Sequence, residues 1–206
     1  MARAGKIVAI VGTYRKGKVI DTLASEVLRG AADGGAETEK IYLVDKHIEF
    51  CENCRTCVQE KDVGRRGTCV HDDDMAGILD KVDAADGLVL AAPTNFANVN
   101  ALTRRFMERL IVYGYWPWDA KIPKLRVKKP TRKAVTITAA ACPALIARIL
   151  MPGPPKALKM AATMMGAKVQ TSLYFGAIAQ APDGTLTQKN RQKAHRACMR
   201  MVASLG

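Results

Sequence analysis

The chain predicts a doubly wound α/β sheet: five parallel strands with helices on both faces. Three observations carry that expectation. Short apolar runs alternate five times with amphipathic helical stripes. Runs such as KIVAIV and GLVLAA lack polar alternation, as strands buried on both faces require. No repeat, low-complexity tract or long linker interrupts the 206 residues, so a single domain over 1–206 is expected.

Lys6 to Val11 reads as the first strand. After the loop GTYRKGK, Val19, Ile20, Leu23, Ala24, Val27, Leu28 and Ala31 recur on one helical face, and Gly34 and Gly35 stop the helix. Glu39 to Val44 reads as a second strand. Residues 46–72 form an aperiodic insertion that holds the cysteines. Asp72, Asp73 and Asp74 then form an N-cap region for a helix marked by Met75, Ile78, Leu79 and Val82. Gly87 to Ala92 reads as a third strand. Val99, Leu102, Phe106, Leu110 and Ile111 form a third helical stripe. Gly114 to Pro130 reads as a loop, and Ala134 to Thr138 as a fourth strand. A helix follows from Pro155 to Gly166. Lys168 to Phe175 reads as the fifth strand. The last helix turns Ala194, Ala197, Met201 and Leu205 inward and Lys189, Lys193, Arg196 and Arg200 outward. Ligands of such sheets bind beyond the carboxyl ends of the strands. The loops to watch are therefore GTYRKGK, the cysteine segment, PTNFANVN and AAACP.

Charge is uneven. Residues 1–103 carry 13 Lys and Arg against 16 Asp and Glu, whereas residues 104–206 carry 19 against 3. Such a field draws anions, from nucleotides to an acidic protein; solvated helix faces are the plainer reading. No run of eighteen apolar residues is present and the opening MARAGKIVAIVG lacks a signal-peptide core, so a cytoplasmic protein without a membrane span is expected. Nucleic-acid binding by Lys121 to Lys133 finds no reader motif, and aromatic content is 5%.

Gly12 to Val19 (GTYRKGKV) nearly matches the triphosphate loop G-x-x-x-x-G-K-[ST]. Val19 has no oxygen for magnesium. What remains is a glycine turn at a helix N-terminus bearing Thr13, Arg15, Lys16 and Lys18, which suits a phosphate without a metal. A plain strand–helix turn is the alternative. No G-x-G-x-x-G is present.

GTYRKGKVIDTLA resembles the phosphate loop of the NADPH-dependent FMN reductase family. APTNFANVNALTRRFMERL resembles that family's segment after the third strand, with Pro93, Phe96, Val99, Leu102, Phe106 and Arg109 at matching positions. CENCRTC, Cys69 and the following DDDM…ILDKVDAADGLVLAAP resemble the flavodoxin-like iron–sulfur flavoproteins and their cluster-free relatives. The likeness is good over roughly residues 6–112. It implies a flavodoxin-like fold that binds FMN, usually in a homodimer or homotetramer. Thr13, Arg15, Lys16, Gly17, Lys18 and Val19 would map onto the phosphate site. Pro93, Thr94, Asn95, Phe96, Ala97 and Asn98 would map onto the loop beside the flavin ring. Asn95 stands where the family often has Tyr, and Ala97 where it has Gly; Trp116 or Trp118, from this chain or a partner subunit, could replace the lost ring, with an ordinary loop aromatic as the plainer alternative.

The resemblance implies an oxidoreductase that takes electrons from NAD(P)H, or from a reduced carrier, and passes them to a small acceptor such as a quinone, a nitro or azo compound or free flavin. Such chemistry resides in the cofactor. No catalytic side chain is assigned, and His47, His71 and His195 stand in no motif. Met151, Met160, Met164 and Met165 read as core filling rather than as a pocket.

Cys51, Cys54 and Cys57 follow C-x2-C-x2-C, and Cys69 comes after an insert, KDVGRR. The spacing matches three ligands of a four-iron cluster, with Cys69, or remotely Cys142, as the fourth. Structural zinc and plain thiols remain the alternatives. A 4Fe–4S cluster would exchange electrons with an acidic carrier such as ferredoxin, which the basic second half would steer.

Overall fold

The computed structural model describes residues 5–61, 64–178 and 186–205. Residues 62 and 63 of the insert between Cys57 and Cys69 lie outside them. In chain order the elements are β1 (Lys6–Val11), α1 (Val19–Asp33), β2 (Glu37–Tyr42), α2 (Asp74–Ala84), β3 (Gly87–Asn95), β4 (Asn98–Val99), α3 (Ala101–Arg109), β5 (Gly114–Tyr115), β6 (Lys124–Leu125), β7 (Arg132–Ala139), α4 (Ala144–Leu150), α5 (Gly153–Met164), β8 (Ala167–Phe175) and α6 (Gln188–Val202).

The main strands run in the order β2-β1-β3-β7-β8, all parallel. This is the doubly wound, flavodoxin-like order, and its reversal lies between β1 and β3. β4 folds back antiparallel on the end of β3, and β5 pairs antiparallel with β6. One face of the sheet packs Ile7, Ala9 and Val11 against α1 and α6 through Leu23, Val27, Ala194 and Met201. The other packs Val8, Ile10 and Leu90 against α2, α3 and α5 through Ile78, Phe106 and Leu158. Strands buried on both sides explain the uninterrupted apolar runs.

Several expectations shift. The second strand starts and ends two residues early, and Leu43–Asp45 is a 3-10 turn that drops Leu43 into the core. Val99 belongs to a β-bridge, not to the third helix, because Asn100 caps that helix by accepting the Thr103 N–H at 3.1 Å. Leu110 and Ile111 lie in a 3-10 turn, Leu110–Tyr113. The stretch ALIARIL forms a helix, α4, that period and capping signals did not reveal; only Ala147 is buried in it. The loop Gly114 to Pro130 contains the β5–β6 pair. Among the described residues no helix is long and apolar enough to cross a membrane.

The basic second half has a use that charge counting did not foresee. Arg132 is buried and donates to the carbonyls of Val82, at 2.7 Å, and Asp83, closing the C-terminus of α2. Arg109 and Arg126 likewise face inward, onto the cysteine segment.

Candidate functional site

Two loops meet at the reversal of the sheet. The first leaves β1 at Gly12. The Gly12 carbonyl accepts from Asn100 Nδ2 at 2.8 Å and from Thr103 Oγ1 at 3.3 Å, both on the cap of α3. A Cβ on Gly12 would stand 1.9 Å from Thr103 Oγ1, so only glycine allows this approach. The Tyr14 hydroxyl accepts the Leu102 N–H at 3.2 Å. Buried Thr13 accepts the Arg15 N–H at 3.1 Å. Gly17 adopts φ +74°, with nothing within 4 Å of where a Cβ would be. Lys18 is the N-cap of α1 and supplies no side-chain bond to its first turn, into which Val19 leads.

Asp21 holds this turn from below. It accepts the Gly17 N–H at 2.6 Å, Lys40 Nζ at 2.8 Å and the Tyr42 hydroxyl at 2.8 Å. Burial pushes its carboxyl up, but Lys40, the Gly17 amide and Tyr42 outweigh it and hold the group below its ordinary value. Lys16 reaches out of the loop to Asp45 at 2.6 Å and lies over the Tyr42 ring. The result is an uncapped helix N-terminus beneath an exposed glycine turn, and that geometry fits a phosphate.

The second loop ends β3. Pro93 and Thr94 are half-buried; the Thr94 hydroxyl pairs with Tyr174 at 3.1 Å, and Tyr174 also donates to the Met151 carbonyl. Asn95 pairs with Asn98 across a two-residue turn, in which Phe96 has φ 47° and Ala97 φ 60°. Left-handed backbone at both central positions is the type I′ hairpin geometry, which prefers Asn-Gly. Here it costs roughly 1–2 kcal/mol per residue. It also leaves Phe96 fully exposed. Asn98 Oδ1 accepts the Val99 N–H at 2.8 Å. Left-handed backbone and an exposed aromatic thus coincide at the carboxyl edge of the sheet.

The third feature is the cysteine segment. Cys51, Cys54, Cys57 and Cys69 line one cavity of about 60 Å³, together with Arg55, His71, Arg109, Ile111 and Trp116. Asn53 at φ 56° and Arg55 at φ 60° curl the chain so that sulfurs three residues apart face the same space. Burial pushes the Cys57 thiol up to about 11, and the Cys69, Cys51 and Cys54 sulfurs add to the rise. Cys54 is exposed, and the Thr56 amide and hydroxyl hold its thiol below the ordinary value. Cys142 is not in this wall; it packs with Ala140 and Tyr174. Among the described residues no group of three or more His, Cys, Asp or Glu is arranged to hold a metal ion, and this bears on the zinc and the four-iron readings of these cysteines alike.

Three arginines fix the segment. Arg109, buried, donates to the Glu49 carbonyl at 2.9 Å and to the buried Asp73 carboxylate. Asp73 also accepts the Glu49 and Met75 amides and so caps α2. Burial pushes the Asp73 carboxyl up, yet Arg109 and the two amides hold it below the usual range. Arg55 lies between Trp116 and Trp118, at 3.9 and 4.4 Å from the ring centres, and donates to the carbonyls of Trp116 and Pro117. The tryptophans therefore clamp the cysteine loop. Arg126 donates to the carbonyls of Lys61 and Cys57. The Nε atoms of Arg55 and Arg109 are buried without a hydrogen-bond partner among the described residues. Four cysteines and two arginines with an unsatisfied Nε thus line one cavity, which is the donor chemistry an anionic cluster calls for, although the sulfurs are not arranged as a ligand set.

Sequence reading missed Asn100, Thr103, Asp21, Arg55 and Arg126. The caps offered a signal, Asn three residues before Thr103; the arginines offered none. The histidines have ordinary neighbours: His47 pairs with Glu49, His195 with Asp33, and His71 approaches Glu52.

An iron–sulfur flavoprotein of Archaeoglobus fulgidus is 32% identical over 112 residues, covering 54% of this chain and 48% of that protein. One of Methanocaldococcus jannaschii is 36% identical over 104 residues, covering 50% and 51%. The chain thus spans about half the length of these relatives. Among solved structures, an NAD(P)H:quinone oxidoreductase from Methanothermobacter marburgensis superposes with a TM-score of 0.67 at 15% identity, covering 98% of this chain and 96% of the other. An FMN-dependent NADH-azoreductase from Bacillus anthracis in complex with FMN gives 0.67 at 13% identity, covering 97% and 98%. At such identities these two show the fold alone. The model of the NADPH-dependent FMN reductase family matches residues 5–136, most of the chain, and the chain belongs to that family.

Proposed function

We propose that the chain is an FMN-dependent oxidoreductase passing electrons from NAD(P)H, or from a reduced carrier, to a small acceptor such as a quinone, an azo or nitro compound or free flavin. The observation that carries this is that the uncapped α1 N-terminus and the strained Phe96–Ala97 hairpin follow the carboxyl ends of the adjacent strands β1 and β3, at the sheet reversal. Thr13, Arg15, Lys16, Gly17, Lys18 and Val19 would hold the phosphate, and Pro93 to Asn98 would flank the ring. FMN, when bound, supplies hydride acceptance and electron release. The chain's part is to bind, orient and shield. The α1 amides favour the phosphate charge, Asp21 fixes Gly17, and Phe96 offers an apolar face. The exposed Leu145, Ile149 and Leu150 of α4 support a homodimer or homotetramer that covers this edge.

A second reading rests on the cysteine cavity: Cys51, Cys54, Cys57 and Cys69 hold a 4Fe–4S cluster, and the protein serves an acidic carrier as an electron-transfer partner. The names of the two relatives support it.

The test is an absorbance spectrum of protein purified without oxygen, with iron and acid-labile sulfide assayed on the same sample. Flavin bands with roughly four irons per chain support both readings. Flavin without iron leaves the reductase and removes the cluster. A colourless protein that refuses added FMN overturns the proposal. Bleaching of bound flavin by NADPH or NADH, against reduced carrier alone, then separates the donors. Light scattering reads the oligomer, and a monomer with bound flavin would remove the shared-edge reading.

A further inference from the structure

On the outer side of α5 lies a groove of about 560 Å³ that shares no residue with the phosphate loop or the Phe96 hairpin. Its apolar wall comes from Ile111, Pro123, Leu125, Met160 and Met164. α5 turns Lys156, Met160 and Met164 to one side because residues four apart stack on a helix. Met160 is 65% exposed, while Met165, one residue past α5, is fully buried. The expectation that the methionines fill the core therefore holds for Met165 and fails for Met160.

The charged residues in the wall are Lys124, Lys156 and Lys159, with no Asp or Glu among them. None of the three has an ion-pair partner among the described residues. Some cations elsewhere are paired, Lys16 with Asp45, Lys40 with Asp21 and Lys81 with Glu39, although 32 Lys and Arg against 19 Asp and Glu leave others without a partner too. Three uncompensated lysines around an apolar trough form a positive rim over a greasy floor. Methionine side chains adapt their shape to what they hold. The volume falls within the usual span of small-molecule sites, roughly 300–1,000 Å³.

We propose that this groove binds a small amphipathic anion, a medium-chain or aromatic carboxylate. Its body lies on Met160, Met164, Ile111 and Leu125, and its carboxylate lies at the lysine rim. Ile111 also lines the cysteine cavity, so the two spaces share a wall. The site needs neither flavin nor cluster.

The experiment is calorimetric titration of the full chain with decanoate below its micellar concentration, and with decyltrimethylammonium as the cation of equal length. The expected result is saturable one-to-one binding of decanoate, at least tenfold weaker in the double variant Lys156→Glu/Lys159→Glu and lost in Met160→Asp. Met199→Asp on the exposed face of α6 should leave it unchanged, and thermal melting identical to wild type would certify each variant's fold. Equal binding of the cation overturns the proposal, as does decanoate binding that survives the lysine reversal. Binding lost in Met199→Asp would move the site to α6 and overturn it too. So would no decanoate binding at all, which would leave the groove to an acidic protein surface.

Discussion

The phosphate loop and the cysteine segment follow neighbouring strands and are held by different means. Gly12–Val19 is fixed by groups close to it in the fold's regular frame: Asn100 and Thr103 on the cap of α3, and Asp21 in the first turn of the helix it enters. The described residues of 46–72 contain a single 3-10 turn, Thr56–Val58, and are fixed from outside by Arg109 and Arg126 and by the tryptophans that grip Arg55. A turn built into a strand–helix junction inherits its shape from the sheet. An irregular segment must have its carbonyls satisfied one at a time, and buried arginines do that with several donors each.

The sharpest way to break the second arrangement is Arg109→Met. It leaves the Asp73 carboxylate buried without its cation, and about 3–5 kcal/mol of stability should be lost. Urea unfolding measures this, and an unchanged midpoint would show that the segment is held otherwise. For the phosphate loop the matching change is Gly12→Ala. The new methyl meets Thr103, and overpacking there should cost about 1–3 kcal/mol and weaken FMN binding, read by flavin fluorescence. A loss of stability with unaltered flavin affinity would separate the Gly12 contact from the phosphate site.

Acid should act on both regions together. The Asp21 and Asp73 carboxyls are held below their ordinary values in the fold. Their stabilisation is therefore complete above the unfolded carboxylate value of about 3.9 and disappears as pH falls through the lower folded values. Unfolding followed from pH 6 to 2 should show stability falling below about pH 4, with a shallower fall in Asp73→Asn. The smallest effect is expected at the hairpin. Ala97→Gly removes a left-handed alanine and should stabilise the fold by about 1 kcal/mol. A destabilised variant would mean that the Ala97 methyl makes contacts worth more than the strain.

The order of strands and helices was legible because the central strands β1 and β3 are buried on both faces and every long helix except α4 shows one apolar stripe. Those periods are local, so the loops at the reversal of the sheet could be named from them. The αL turn at Gly17 announced itself as glycine, but Phe96 and Ala97 did not announce theirs, since neither residue favours positive φ. α4 was hidden for a related reason. Its apolar residues lie all around it, and only Ala147 packs inward, so no stripe appears.

By itself the sequence determined the layering of the fold, the glycine turn at the first helix and the spacing of three cysteines. Each follows from neighbours a few residues apart, where chain geometry alone dictates which side chains share a face. Only the tertiary structure decided that the four thiols share a cavity, that Arg109 meets Asp73 across 36 residues and that Arg126 reaches Cys57 across 69. Such partners have no characteristic spacing. They are chosen by where the folded sheet brings a buried carbonyl or carboxylate within reach of an arginine.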